Sequence, residues 1–162
     1  MSLSRILAAA AVLASSAAFA GTADVKFIDP DNFSDLATNK WEEPDNMKAI
    51  ATHIEHLAQQ LPGDQVLHVD VLDVDLAGSW RQTSRGRIRT VTNRADPPKF
   101  HLRYTLESRG QVLRTGDVRL TDIDYTNHVF LNRTSTPFYY ENRLLDQWFA
   151  RDFGAQLQAS AR

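Results

Sequence analysis

An α+β domain is the fold class this sequence predicts, on three observations. Apolar residues recur every three or four positions in two separate stretches, around 44–61 and 137–153, which is helical spacing. Between them lie segments in which apolar and polar residues alternate, the period of a half-covered strand. No repeat, low-complexity tract or linker divides residues 21–162. The expected order is strand, helix, four strands, helix. That is an antiparallel-rich sheet of four to five strands with two helices packed on one face, in a single globular domain over 21–162.

Val25 and Phe27 alternate with polar neighbours from Asp24 to Ile28, a short first strand. Asp29-Pro30-Asp31-Asn32 is turn chemistry, and an irregular stretch runs on to Lys40. Pro44 suits the first turn of a helix, because its missing N–H would lack a partner there in any case. Met47, Ile50, Ile54, Leu57 and Leu61 make that helix's apolar stripe, and Pro62-Gly63 ends it.

The segment Gln65 to Ala77 carries a broken alternation. Leu67, Val69 and Val71 share one parity, whereas Leu72, Val74 and Leu76 share the other. A regular strand would bury both faces, and with them three carboxylates. A β-bulge near Val71–Leu72 instead turns all six apolar side chains to the core and leaves His68, Asp70, Asp73 and Asp75 outside. Gly78 then opens a polar connection to a strand at Arg85–Thr92, with Arg87 and Arg89 on one face. Ala95-Asp96-Pro97-Pro98 is a break. Leu102, Tyr104 and Leu106 alternate, Ser108-Arg109-Gly110 is a hairpin turn, and Val112 to Leu120 returns. Thr136 is placed to cap a last helix with Pro137 at its first position, and Leu144, Leu145, Trp148, Phe149 and Phe153 form its apolar face.

Ahead of the domain stands a segment with the grammar of a secretory signal peptide: Arg5, an apolar run from Ile6 to Ala14, and Ala18-Phe19-Ala20 before Gly21. Residues 1–20 are therefore expected to be removed between Ala20 and Gly21, and the product is expected in a Gram-negative periplasm. The apolar run is well short of the roughly 20 residues of a membrane-spanning helix, and no second such run follows. The chain has no cysteine, so disulfides and a lipidated N-terminal cysteine are both excluded. Loss of Arg5 leaves a formal charge one unit more negative than the −2 of the full chain, a balance that predicts no nucleic-acid partner.

Three segments resemble a known family. They are Leu61-Pro62-Gly63-Asp64-Gln65, leading into Val71-Leu72-Asp73-Val74-Asp75-Leu76-Ala77-Gly78, and Tyr140-Glu141 before Leu144-Leu145-Asp146-Gln147-Trp148-Phe149. The strand around Val25 and Phe27, with Asp29-Pro30 and Phe33-Ser34-Asp35, completes the pattern. Together they resemble an exported proteobacterial family, domain of unknown function 3016. The resemblance implies an exported single domain and carries no assigned activity or site residues.

The candidate chemistry lies in side-chain clusters. Asp70, Asp73 and Asp75 offer hard oxygen ligands, but Ala77 and Ser84 stand where a calcium loop needs oxygen donors and a bidentate Glu. Pairing with the arginines of the following segment is the preferred reading, since opposite charges across a hairpin stabilise it by about 0.2–1 kcal/mol per pair. Those arginines are Arg81, Arg85, Arg87, Arg89 and Arg94. Guanidinium groups also meet phosphate or carboxylate with two hydrogen bonds, so Arg81, Arg85 and Arg87, beside Trp80, form the candidate ligand site for an anionic envelope component. Trp41 and Trp80 are the expected exposed tryptophans, with folding back over the sheet edge the alternative favoured for each. His53 and His56, with His68 as a third ligand, would be needed for a zinc site, and the spacing is not that of a zinc protease. No cofactor is expected, and neither a nucleophile elbow nor a phosphate loop is present. The leading expectation is a non-catalytic binding or accessory domain of the envelope, acting on an envelope component or protein. A hydrolase using the Asp70, Asp73 and Asp75 face is the alternative.

Overall fold

The chain runs β1 (Thr22–Phe27), α1 (Glu43–Ala58), β2 (Gln65–Asp75), β3 (Ser79–Thr83), β4 (Gly86–Thr90), β5 (Lys99–Ser108), β6 (Gln111–Thr121) and α2 (Tyr139–Ser160). The structure is a computed structural model describing residues 20–37, 39–84, 86–91, 95–128 and 137–160. A four-stranded mixed sheet has the order β1-β2-β5-β6, and β3 and β4 form a separate two-stranded hairpin. The α+β class is thus observed. β1 is parallel to β2, and a parallel neighbour requires a crossover, which α1 supplies. β5 is antiparallel to both β2 and β6.

The core lies where the apolar parities meet. Leu67, Val69 and Val71 of β2 and Leu102, Tyr104 and Leu106 of β5 are buried against Ile50, Ile54 and Leu57 of α1 and Leu145, Trp148, Phe149 and Phe153 of α2. The opposite sheet face carries Lys26, His68, Asp70, Arg103 and Asp117, as the alternation and register require. The expected bulge is present: Val71 pairs with Leu102 and Asp73 with His101, so Leu72 is the extra residue. Val74 consequently returns to the core, fully buried. Leu72 itself does not join the core and is only half-buried. Five of the six apolar side chains of the segment go inside, because the residue that makes a bulge is left unpaired.

Two ring systems and one polar knot seat α2 on the sheet. Trp148 packs edge-on to Tyr104 at 5.6 Å and to Phe153 at 5.7 Å. The Tyr104 hydroxyl donates to Asp152 Oδ2 at 2.9 Å and accepts from Arg114 Nε at 3.1 Å. Arg151 Nε donates to the other Asp152 oxygen at 2.8 Å. Burial by itself would raise the Asp152 carboxyl, but Arg151 and Tyr104 outweigh it and hold the group below the ordinary carboxylate value. Tyr104 also leaves no room across the sheet: a Cβ at Gly116 would fall 2.5 Å from its ring.

Local chemistry explains most boundaries. Pro44 sits in the first turn of α1. Arg109 and Gly110 both have positive φ, 51° and 78°, the backbone of a two-residue type I′ hairpin between β5 and β6. The last helix starts at Tyr139, two residues later than Pro137 would suggest. Phe138 has φ 57°, and this left-handed residue separates Pro137 from the helix. The proposed cap Thr136 lies outside the described residues.

Two sequence expectations are corrected. The polar connection after Gly78 contains strand β3, so five strands, not four, separate the helices. Both faces of this hairpin carry polar side chains, and the alternation that reveals a half-buried strand is therefore missing. The expected ladder between the acidic strand and the arginine strand does not form either. β2 is already flanked by β1 and β5, whereas β4 pairs with β3. Gly78 diverts the chain out of the sheet at φ 84°, with Thr90 O only 2.6 Å from where a Cβ would sit.

Trp148 is 1% exposed, and its indole N–H meets no acceptor among the described residues. Its role is therefore shape. Trp148→Ala is expected to cost about 3–5 kcal/mol in urea unfolding, and Trp148→Phe distinctly less. Equal losses for both would show that the indole nitrogen matters after all.

Candidate functional site

The β3–β4 hairpin pairs with no strand of the main sheet, so side chains must hold it in place. Arg89 does most of this. Its Nη1 donates to the carbonyls of Leu76, Ala77 and Gly78, at 2.9, 3.2 and 3.1 Å. Its Nη2 lies 2.8 Å from Asp35 Oδ2, a close ion pair that is not aligned as a hydrogen bond. The guanidinium also stacks over the Trp80 ring, 4.2 Å from the centroid, because Trp80 and Arg89 are direct partners across the hairpin. Trp80 Nε1 in turn donates to Asp35 Oδ1 at 3.3 Å. A lysine offers one compact ammonium and could not serve three carbonyls, a carboxylate and a ring face at once.

This rivet forms one wall of a cleft of about 300 Å³. Phe138, Tyr139 and Tyr140, at the entry to α2, form the facing wall. Tyr140 is fixed edge-on against Tyr125 at 4.9 Å, and the Tyr125 hydroxyl donates to Ala95 O at 2.6 Å. Leu76, Ala77 and Glu141 also line the space. Asn46 of α1 reaches it as well and donates to Leu36 O at 2.8 Å.

Glu141 is the unusual member. It is only 5% exposed, and its Oε1 accepts from the Ala77 N–H at 2.7 Å. Burial pushes its carboxyl above the ordinary value. The Ala77 N–H, and more weakly the Arg89 charge, oppose that rise without cancelling it. The carboxylate lies in the first turn of α2, where a negative charge meets the positive end of the helix dipole. A buried acid beside aromatic rings can accept hydrogen bonds, hold a cation, or carry a proton.

A family model described as "Protein of unknown function (DUF3016)" matches residues 21–151. The chain belongs to the DUF3016 family. No curated protein and no solved structure matches it. Parts of the DUF3016 pattern meet at this cleft: Leu76-Ala77 and Tyr140-Glu141 line it, and Asp35 of the Phe33-Ser34-Asp35 stretch holds its Trp80 and Arg89.

Other sequence candidates in this DUF3016 domain are dispersed. Arg81 and Arg87 are both exposed, and the hairpin register sends them to opposite faces: Arg81 sits across from Ile88, Arg87 across from Gln82. Arg87 shares the Trp80 face, 5.5 Å from the ring. Arg85 and Arg94 lie outside the described residues. Trp80 folds back as a cleft wall, whereas Trp41 is 90% exposed. Asp73 accepts from the Ser34 N–H and hydroxyl at 2.7 and 2.8 Å, and Asp75 pairs with Lys99 at 2.7 Å. Asp70 lies opposite Arg103 on the open sheet face. Asp73 and Asp75 thus take separate partners, and the three carboxylates do not converge. His53 pairs with Asp146 at 2.7 Å beside His56, in a groove between the helices. His68 lies on the open sheet face, near Asp24 and Glu107, so the three imidazoles do not gather. Among the described residues no group of three or more potential ligands is placed to hold a metal.

Sequence reasoning passed over Arg89 as a rivet, and Asp35 and Glu141 altogether. The available signal was Tyr140-Glu141 just inside the last helix, an acid on a stretch otherwise turned to the core.

Glu141 makes stability depend on pH. An acid held above its unfolded value of 4.5 leaves the folded state with more bound protons in the window above that value, so stability falls as pH rises through it. Glu141→Gln removes this penalty. The urea midpoint of the variant is expected to gain most on the parent at neutral pH, and the difference to shrink as pH falls toward 4.5. A gap that instead widens on acidification would mean that the ionised carboxylate is favoured in place.

Proposed function

We propose that this DUF3016 protein is an exported, non-catalytic binding domain of the cell envelope, with the cleft between the hairpin and the start of α2 as its ligand seat. The observation that carries the reading is the cleft itself. Phe138, Tyr139, Tyr140 and Trp80 form aromatic walls around a buried carboxylate, and an Arg89–Asp35 ion pair holds the hairpin wall in position. Ligand sites are typically concave and mostly apolar, with a few fixed polar groups that set orientation. A binding role is favoured over hydrolysis because Asp73 and Asp75 are engaged separately and Asp70 lies apart from both on the open sheet face.

Export is supported by the leader-like residues 1–20 and by the start of the family match at residue 21. Ala20 bridges Pro62, the Gly21 N–H donates to Leu61 O at 2.9 Å, and β1 follows at Thr22. No helix among the described residues is long and apolar enough to cross a membrane.

Two measurements check this. Expression of the full chain in a Gram-negative host should place the product in the periplasmic fraction, with Gly21 as its first residue by N-terminal sequencing. Retention in the cytoplasm with Met1 or residue 2 at the start would overturn export. For the seat, a fragment screen on the isotope-labelled protein should shift the Trp80 indole and the Ala77 and Glu141 amide signals together, leaving the Trp148 indole in place. Hits that gather on the open sheet face instead would remove the cleft from consideration.

A further inference from the structure

The groups lining the cleft discriminate between ligand charges. An anion would need an unbalanced positive charge, and the Arg89 guanidinium already faces the Asp35 carboxylate at 2.8 Å. Nη1 is spent on three carbonyls, and Nη2 is buried against Asp35. Arg89 is also the one basic residue among the described lining, and Asp35 already balances its charge. The ionised Glu141 carboxylate therefore leaves the trio of half-buried Asp35 and Arg89 with buried Glu141 carrying one net negative charge.

The lining also discriminates between kinds of cation. A primary ammonium has three donors to satisfy. The carbonyls of Leu76, Ala77 and Gly78 and Glu141 Oε1 each accept one hydrogen bond, so a primary ammonium would have to share acceptors with Arg89 and Ala77. An alkylated ammonium has few donors or none and presents methyl groups, which suit ring faces and the apolar Leu76 and Val91. Attraction between such a cation and aromatic quadrupoles, strengthened when water is excluded, is a general means of recognising quaternary ammonium. Phe138, Tyr139 and Tyr140 supply the rings, and Glu141 supplies the counter-charge.

We propose that the cleft receives the head of an alkylated ammonium compound, seated against Phe138, Tyr139 and Tyr140 with Glu141 as its counter-ion. This rests on the cleft being the ligand seat and goes further by naming the ligand's chemistry. A volume of about 300 Å³ admits a head group of choline size with room for a short substituent.

Choline and its uncharged isostere 3,3-dimethyl-1-butanol separate the two ideas. Each is titrated into the processed protein, and the Trp80 indole and Glu141 amide signals are followed by NMR. Choline is expected to bind saturably and at least about tenfold more tightly than the isostere. Glu141→Gln keeps the size of the side chain and its acceptor for Ala77, and it should lower choline to the level of the isostere. Tyr139→Leu, which removes the half-buried ring but keeps apolar bulk, should weaken choline several-fold while the Trp148 indole signal stays in place, which keeps the test valid if the Gln variant folds poorly. Equal binding of choline and isostere in the parent would overturn the ammonium assignment while leaving the cleft as an apolar seat. Failure of both to shift these signals would likewise overturn it. The fragment screen then decides separately whether the cleft is a seat at all.

Discussion

One guanidinium holds the two-stranded hairpin of this molecule in register with the main sheet. The main sheet and its two helices share a continuous apolar core and need no help from the hairpin. The hairpin has no such support: its two strands pair only with each other, and its side chains are mostly exposed or half-exposed. Arg89 reaches back to the carbonyls at the end of β2, and Asp35 closes the bracket from the loop before α1. Breaking one partner of such a desolvated pair costs far more than the pair contributes relative to an apolar substitute, because the remaining charge is stranded. The cleft wall is therefore fixed where it meets the sheet, at Leu76–Gly78.

Much of the fold is legible in the residues themselves. The stripe Ile50–Ile54–Leu57 marks α1, the parity switch at Val71–Leu72 marks the bulge, and Arg109-Gly110 marks a tight hairpin. In each case the signal is local: a period, a break in a period, or a backbone conformation. The hairpin strand β3 left no such trace, since Trp80, Arg81 and Gln82 mix ring and charge on a ribbon with no core face. The site was less legible still. Asp35, Arg89 and Glu141 meet only through the fold, from positions far apart in the chain, and charged residues near turns or helix starts read as solvated until their partners are seen. Arginine clustering marks the hairpin that borders the cleft but does not single out Arg89. The exposed Arg81 and Arg87 diverge, whereas the half-buried Arg89 organises the cleft.

The open sheet face shows what the remaining charges do. Asp24 meets Lys26 at 3.2 Å and His68 at 3.4 Å, and Asp117 meets His101 at 2.7 Å. Their hydrogen bonds lower both carboxyls: Lys26 ahead of His68 acts on Asp24, and His101 on Asp117. Exposed pairs of this kind contribute little individually. Their value lies in keeping the uncovered face polar, which disfavours stacking of one sheet on another.

The place of the hairpin in the chain has a topological consequence. β2 ends at Asp75 and its partner β5 begins at Lys99, so the hairpin is carried on a single excursion between two strands that pair directly. The entropy of closing such an excursion grows only with the logarithm of its length, about 0.6 kcal/mol for each doubling. Lengthening or trimming its outer turn, around Thr83–Gly86, therefore barely taxes the pairing of β2 with β5. The outer turn of the hairpin can change in length through insertions and deletions while the sheet beneath it folds unchanged.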